Sequence, residues 1–291
     1  TMSRYTIAEL EKLTGIRAGT IRIWERRYWI IKPHRTDTNR RWYDDDDLMR
    51  IINISILYRH GYKISKIATM TGVEIASQVA MLSADTSDTG TQLDSLVVAM
   101  TSLNEKVINE ILMRSIISIG FEGTFERVVF PFLKRVGVMW QTGSVDVGAE
   151  HFMSNIFRKR LIVATDSLQP VSNNNSKRVL FFLPEGEWHE LGLLFYAFIA
   201  RKAGHEILYL GQSTPYNALA DVIERWQPHL LITGSLTRLP FERPESYLSR
   251  LSNAFTRQKI LVSGAMAEMA GKKKFANIYS VTTVKELKEH L

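Results

Sequence analysis

From residue 178 to the end the chain repeats one pattern, a short apolar run followed by a stretch with helical spacing. The runs are Val179 to Leu183, Ile207 to Leu210, Leu230 to Thr233, Ile260 to Val262 and Ile278 to Val281. Each is continuously apolar rather than alternating. A strand wetted on one face alternates apolar and polar residues, so unbroken runs belong to strands covered on both faces, as in a parallel sheet flanked by helices. Residues 178–291 are therefore expected to form a doubly wound α/β domain of Rossmann-like or flavodoxin-like type. In such folds ligands sit at the carboxyl ends of the strands.

Upstream the spacing is helical, and 291 residues leave room for two more domains. Over residues 1–75 the order is helix, turn, helix, extended hairpin, helix. Ile7, Leu10 and Leu13 share one helix face, Thr6 caps it and Gly15 ends it. A second helix runs from about Ala18 to Tyr28, the polar stretch Pro33 to Tyr43 reads as a hairpin, and Asp44 to Asp47 open a helix through Leu48, Ile51, Ile52 and Ile56. The small polar residues Ser83 to Gly90 bury nothing, so a linker is expected over residues 76–92. Residues 93–168 read as a four-helix bundle with breaks near Ser102, Gly120 and Gly143, and Gln169 to Ser176 form a second linker.

Charge narrows the function. Residues 1–66 hold 14 Lys and Arg against 8 Asp and Glu, a net of +6, whereas the other 225 residues hold 23 against 22. Nearly all of the overall +7 therefore sits on the first domain. Concentrated basic surface is what phosphate neutralisation requires, so double-stranded DNA is the expected partner. The absence of cysteine excludes disulfides, thiolate metal sites and cysteine nucleophiles, leaving seven histidines as the strong nitrogen ligands. No run of 18 or more apolar residues suggests a membrane span, and the start TMSRYTIAELEKLTG turns charged too soon for a secretory signal. A cytoplasmic location is expected.

The string YTIAELEKLTGIRAGTIRIWERRY, the basic hairpin ending RRWY, and DDLMRIINISILYRHGYKISKI together resemble the winged helix-turn-helix of the MerR family of regulators over residues 4–70. That resemblance implies that Thr20, Arg22 and Arg26 face the major groove and that Arg40, Arg41 and Tyr43 clamp the backbone from the wing.

Two further motifs point to a ligand. Glu187-Trp188-His189-Glu190-Leu191-Gly192 follows the first apolar run of the α/β domain. It places an imidazole at a strand's carboxyl end with an acid two residues earlier to orient it. The string resembles the E/D-x-H-x-x-G motif of cobalamin-binding domains, which implies His189 as the lower axial ligand to cobalt. Trp140, nine intervening residues, and Glu150-His151 resemble the W-x9-E-H spacing of CarH/LitR-type photoreceptor regulators. There the helical bundle covers the upper face of adenosylcobalamin. Ser213, Thr233, Ser235 and Gly264 are then expected beside the cofactor.

The chain departs from the family pattern in three places. Thr233-Gly234-Ser235 stands where S-x-L is usual, Ser263 precedes Gly264 where paired glycines are usual, and Gln141 follows Trp140 where light-responsive members carry a cobalt-capturing histidine. The resemblance implies a repressor, dimeric or tetrameric, controlled by adenosylcobalamin or another cobalamin, with light as a candidate signal. The alternatives are a cobalamin-independent regulator answering to a partner protein, or a cobalamin-dependent enzyme. No catalytic residue is expected.

Overall fold

The computed structural model of the chain describes residues 4–36, 39–85, 89–141, 147–169, 176–236, 239, 242–272 and 275–291. The chain divides into two compact units, residues 1–155 and 156–291. The helix-turn-helix and most of the helical region fall in the first unit, and the expected α/β region falls in the second.

The first unit opens with α1 (Ile7–Thr14) and α2 (Ala18–Tyr28). Thr6 and Glu9 form a reciprocal cap on α1: the Glu9 N–H donates to Thr6 Oγ1 at 3.3 Å and the Thr6 N–H to Glu9 Oε2 at 2.6 Å. Gly15, at φ 73°, ends α1, and Glu11 Oε2 accepts from the Ala18 N–H at 3.1 Å, fixing the corner into α2. A short antiparallel hairpin, β1 (His34–Arg35) and β2 (Arg41–Trp42), precedes α3 (Asp45–Arg59), which Asp44 caps through the Asp47 N–H at 2.9 Å. Leu10, Leu13, Ile21, Trp24, Leu48, Ile51 and Ile52 are buried together as the core of this part. A single turn, α4 (Ile64–Ile67), follows.

The expected linker over residues 76–92 is largely helix. Helix α5 (Gly72–Asp85) packs on α3, and α6 (Thr89–Thr101) begins within the small polar stretch; residues 86–88 lie outside the described ones. At the end of this stretch Thr91 and Gln92 are polar and yet buried on α6. Helix α7 (Glu105–Thr124) kinks at Gly120, φ 76°, where the sequence predicts a break. A π-helical turn, Phe125–Val129, leads into α8 (Phe130–Gln141), and α9 (Val147–Asp166) completes the expected four helices; the division between the units falls inside α9.

Buried charge ties this unit together. Asp94 on α6 is 1% exposed and pairs with Arg59 at the end of α3 and with Arg135 on α8, the latter at 2.5 Å. Arg135 also donates to the Leu13 carbonyl, one of the last in α1. Burial lowers the Arg135 pKa from its ordinary value, as the loss of water around a cation must.

The second unit is a five-stranded parallel sheet of order β4-β3-β5-β6-β7, with β3 (Arg178–Pro184), β4 (Glu206–Thr214), β5 (Leu230–Ser235), β6 (Lys259–Gly264) and β7 (Ile278–Ser280). Each expected run is a strand. The helices are α10 (Leu191–Lys202), α11 (Tyr216–Trp226), α12 (Pro244–Ala254), α13 (Ala265–Lys272) and α14 (Val284–His290). Leu180, Phe182, Leu231, Ile260 and Val262 face Leu219, Ile223, Leu248, Leu251 and Met266 of α11, α12 and α13, while α10 packs on β3, β4 and α14. Strand order reverses between β3 and β5, so the loops after them diverge and open the crevice where this fold class binds ligands.

Candidate functional site

Arg22 and Arg26 on α2, and Arg40 and Arg41 at the hairpin, are exposed; Thr20 is half-buried. Glu25, which a neighbouring arginine would otherwise engage, is buried and accepts from the Tyr43 hydroxyl at 3.3 Å. Tyr43 itself is fully buried, its backbone pairing with Tyr5 in a bridge. The expected role of Tyr43 on DNA is therefore incorrect: its ring is core, and burial followed by the Glu25 charge pushes its hydroxyl pKa up. Arg41 and Arg22 oppose that shift, so positive charge from the hairpin and from α2 falls on the same spot. The hairpin is braced by His34, which stacks on Trp42 at 4.3 Å and bonds Asp44 at 3.1 Å, and by Arg4, 4.7 Å over the Trp42 ring.

One residue of this surface escaped the sequence reading. Trp29 caps α2 at φ 52° and is 77% exposed. A bulky side chain in left-handed backbone costs roughly 1–2 kcal/mol, and its exposure returns little of that through packing.

The second site is the loop after β3. Glu187 is 1% exposed, and its Oε1 accepts from the backbone N–H groups of Trp188 and His189, both at 2.9 Å, and from His189 Nδ1 at 2.6 Å. Its Oε2 accepts from the Leu236 N–H, just past β5, at 2.8 Å. A carboxylate can only accept, so Nδ1 carries a proton, and in the neutral imidazole the lone pair is then on Nε2. The His189 ring is half-exposed.

Strand β4 shapes the loop. Its pairing with β3 shifts register twice near its end, Gly211 takes φ 80° and Ser213 φ 47°. Ser213 Oγ then accepts from the Gly186 N–H at 3.0 Å, the Ser213 N–H donates to the Glu187 carbonyl at 3.0 Å, and the Gln212 amide donates to the Trp188 carbonyl at 2.7 Å.

Three features fit a cofactor at this loop. Gly192, near the start of α10, has open space where a side chain would stand. Thr233 Oγ1 and Ser235 Oγ, at the carboxyl end of β5, are buried with no hydrogen-bond partner among the described residues. Buried hydroxyls left so are uncommon and are accounted for by a polar group that completes them. Glu187 fixes the tautomer of His189 as the second partner of a metal-ligating imidazole does. Gly264, φ 65°, is required by the sheet itself, since a Cβ there would lie 2.3 Å from the Ser235 carbonyl oxygen. Ser263 turns toward β5, its hydroxyl 3.4 Å from the Thr233 carbonyl and over Gly234, where a Cβ would lie 2.4 Å from it.

In the helical region Glu150 and His151 lie in the first turn of α9, with Glu150 accepting from Ser154 Oγ at 2.7 Å and lying 3.3 Å from His151 Nδ1. Trp140 and Gln141 end α8, and their side chains lie outside the described ones.

Comparison with known proteins matches residues 5–72 to the MerR HTH family of regulatory proteins and residues 92–164 to the B12 binding domain. The HTH-type transcriptional repressor CarH of Myxococcus xanthus is 30% identical over 90% of this chain and 89% of its own length; the repressor CarA of the same organism is 24% identical over 85% and 81%. The monomethylamine corrinoid protein of Methanosarcina barkeri, 14% identical, superposes with a TM-score of 0.57 over 70% of this chain and 98% of that one, a likeness of fold. Relatives matched over nearly their whole length are regulators rather than enzymes. Basic winged helix, helical region and α/β sheet thus form one known arrangement, and the chain belongs to the family of DNA-binding transcription regulators, CarH and CarA among them, that join a MerR-type helix-turn-helix to a B12-binding domain.

Proposed function

We propose that the chain is an operator-binding repressor whose affinity for DNA answers to adenosylcobalamin, held with His189 Nε2 as lower axial ligand. The observation that carries this reading is the Glu187–His189 bond, which engages Nδ1 and leaves Nε2 of a half-exposed ring as the nitrogen available to a metal. When bound, the cofactor supplies a light-sensitive cobalt–carbon bond; the chain supplies the rest. Glu187 would hold the Nδ1 proton, Gly192 would leave room for the group, and Ser213, Thr233, Ser235 and Gly264 would line the end of the crevice.

Trp140, Glu150 and His151 are assigned to selectivity for the upper ligand, on their sequence spacing. Thr20, Arg22, Arg26, Arg40 and Arg41 contact operator DNA, Arg through forked donors to guanine edges or phosphates. The active species is at least a dimer, because one small winged helix reads too few base pairs for a specific affinity of roughly 10⁻⁸ M. It acts in the cytoplasm.

The test is an absorption spectrum of the full chain with micromolar adenosylcobalamin, in darkness and after illumination, with operator binding and sedimentation followed in the same samples. A spectral shift lost in His189→Ala is expected. No shift at all for the wild-type chain refutes the cofactor assignment and favours a regulator answering to a partner protein, with Ser263 over Gly234 as the obstructing side chain. A shift without any change in operator binding refutes the regulatory link.

A further inference from the structure

Glu190, directly after the proposed cobalt ligand, has no part in the reading above. It is 5% exposed and stands at the start of α10. Its Oε1 accepts from Arg158 Nε at 2.5 Å, and its Oε2 from the Tyr209 hydroxyl at 2.8 Å. Arg158 lies on α9, within the second unit, and Tyr209 on β4. The fit is close: a Cβ on Gly211 would come within 3.3 Å of the Tyr209 ring and 3.7 Å of Glu190 Oε2.

A buried carboxylate is tolerable only where charge and donors meet it, so Glu190 is confined to the place where Arg158 and Tyr209 converge. Glu187 is confined in the same way by Leu236 N–H and its own loop. Only Trp188 and His189 lie between these two anchored acids. The direction in which His189 presents Nε2 therefore depends on both: Glu187 sets the tautomer, and Glu190 sets the far end of the span.

The Arg158 side chain is half-exposed but Glu190 is buried, so the pair serves to satisfy a desolvated carboxylate rather than to add net stability. A pair of small stabilising value placed beside the ligand histidine has its main consequence in geometry. We propose that Arg158, Glu190 and Tyr209 are positioning residues for the lower axial histidine, holding the loop so that His189 reaches cobalt. This rests on the cobalamin reading above and adds Arg158 and Tyr209, which neither motif contains, and Glu190, which stands at an unspecified position of the first.

The experiment uses the full-length chain carrying Arg158→Met, Arg158→Lys or Tyr209→Phe. Adenosylcobalamin affinity is measured by absorption, and histidine coordination by the nitrogen splitting in the electron spin resonance of bound cob(II)alamin on ¹⁵N-histidine-labelled protein. Arg158→Met is expected to weaken binding roughly 10–100-fold and to diminish the labelled-histidine splitting in protein that is still folded at the assay temperature, with Arg158→Lys recovering most of both. Arg158→Met and Tyr209→Phe proteins that bind within twofold of wild type with full splitting overturn the proposal. If the wild-type chain takes up no cobalamin, the functional reading fails separately, and amide exchange of residues 185–192 in ligand-free protein decides this one. Faster exchange in Arg158→Met supports it, and an unchanged rate overturns it.

Discussion

Replacing Asp94 by alanine tests whether the buried charge cluster holds the N-terminal unit together. The substitution removes the carboxylate that pairs with Arg59 and Arg135 and leaves Arg135, already desolvated, without that counter-charge. Removing one partner of a buried pair costs about 3–5 kcal/mol. Arg59 is half-exposed and can turn to water, which places the expected cost at the lower end, about 3 kcal/mol. The structure also predicts an order: Arg59→Ala should cost less than about 1 kcal/mol, because that partner is solvated. Amide exchange of α3, α6 and α8 followed by mass spectrometry reads the unit directly, without assuming that the whole chain unfolds in one step. A loss of about 3 kcal/mol appears as roughly 100-fold faster exchange in α6. Protection within threefold of wild type in Asp94→Ala, or an equal loss in Arg59→Ala, would refute the argument.

Arg26→Ala and Arg41→Ala should each weaken operator binding and lower its salt slope by about one unit, whereas Tyr43→Phe, altering a buried ring, should leave both unchanged; equal slopes in all three proteins remove the arginines from the interface. Trp29→Gly should relieve the left-handed cap and stabilise α2 by about 1 kcal/mol, seen as several-fold slower amide exchange there, and faster exchange would show that the exposed indole is held by contacts after all. Acid should destabilise the second unit through His205. Burial, then Lys177, lowers its pKa from 6.5, and its Nδ1 accepts from the Lys177 N–H at 3.1 Å. Below about pH 6.5 the unfolded chain then binds a proton that the folded one resists, so stability is full above that pH and falls as pH drops toward the folded value. His205→Gln should flatten this dependence in urea titrations at pH 5 and 7.5; an unaltered slope assigns it elsewhere, His290 being displaced in the same direction.

The sheet was legible because its strands are buried on both faces, which forces unbroken apolar runs such as Val179 to Leu183. The first three helices were legible from local signals, the Thr6 and Asp44 caps and Gly15. The linker differs from expectation because composition does not tell a solvated polar residue from one buried by tertiary packing, as Thr91 and Gln92 are on α6. Tyr43 was misread for another reason. The family resemblance implies a wing residue on DNA, but the bridge to Tyr5 and the bond to Glu25 turn the ring inward. The Glu187–His189 pair lies two residues apart and could be anticipated, whereas Arg158 and Tyr209 reach Glu190 from 32 and 19 residues away, with no local pattern to announce them.

The bond from the Leu236 N–H to Glu187 also bears on how the second unit reaches its final state. Leu236 follows β5, so the carboxylate that aims His189 takes up that donor only once β3 and β5 have paired in their native register. A chain with those strands slipped or unpaired keeps the whole E-W-H-E-L-G string and still lacks the preset imidazole. A ligand that selects the preset ring binds the folded state alone, and at 100 times its dissociation constant such a ligand adds about 2.7 kcal/mol to stability. Cofactor uptake then discriminates finished sheets from misregistered ones, and the population able to regulate is the population that has completed the switch between β3 and β5.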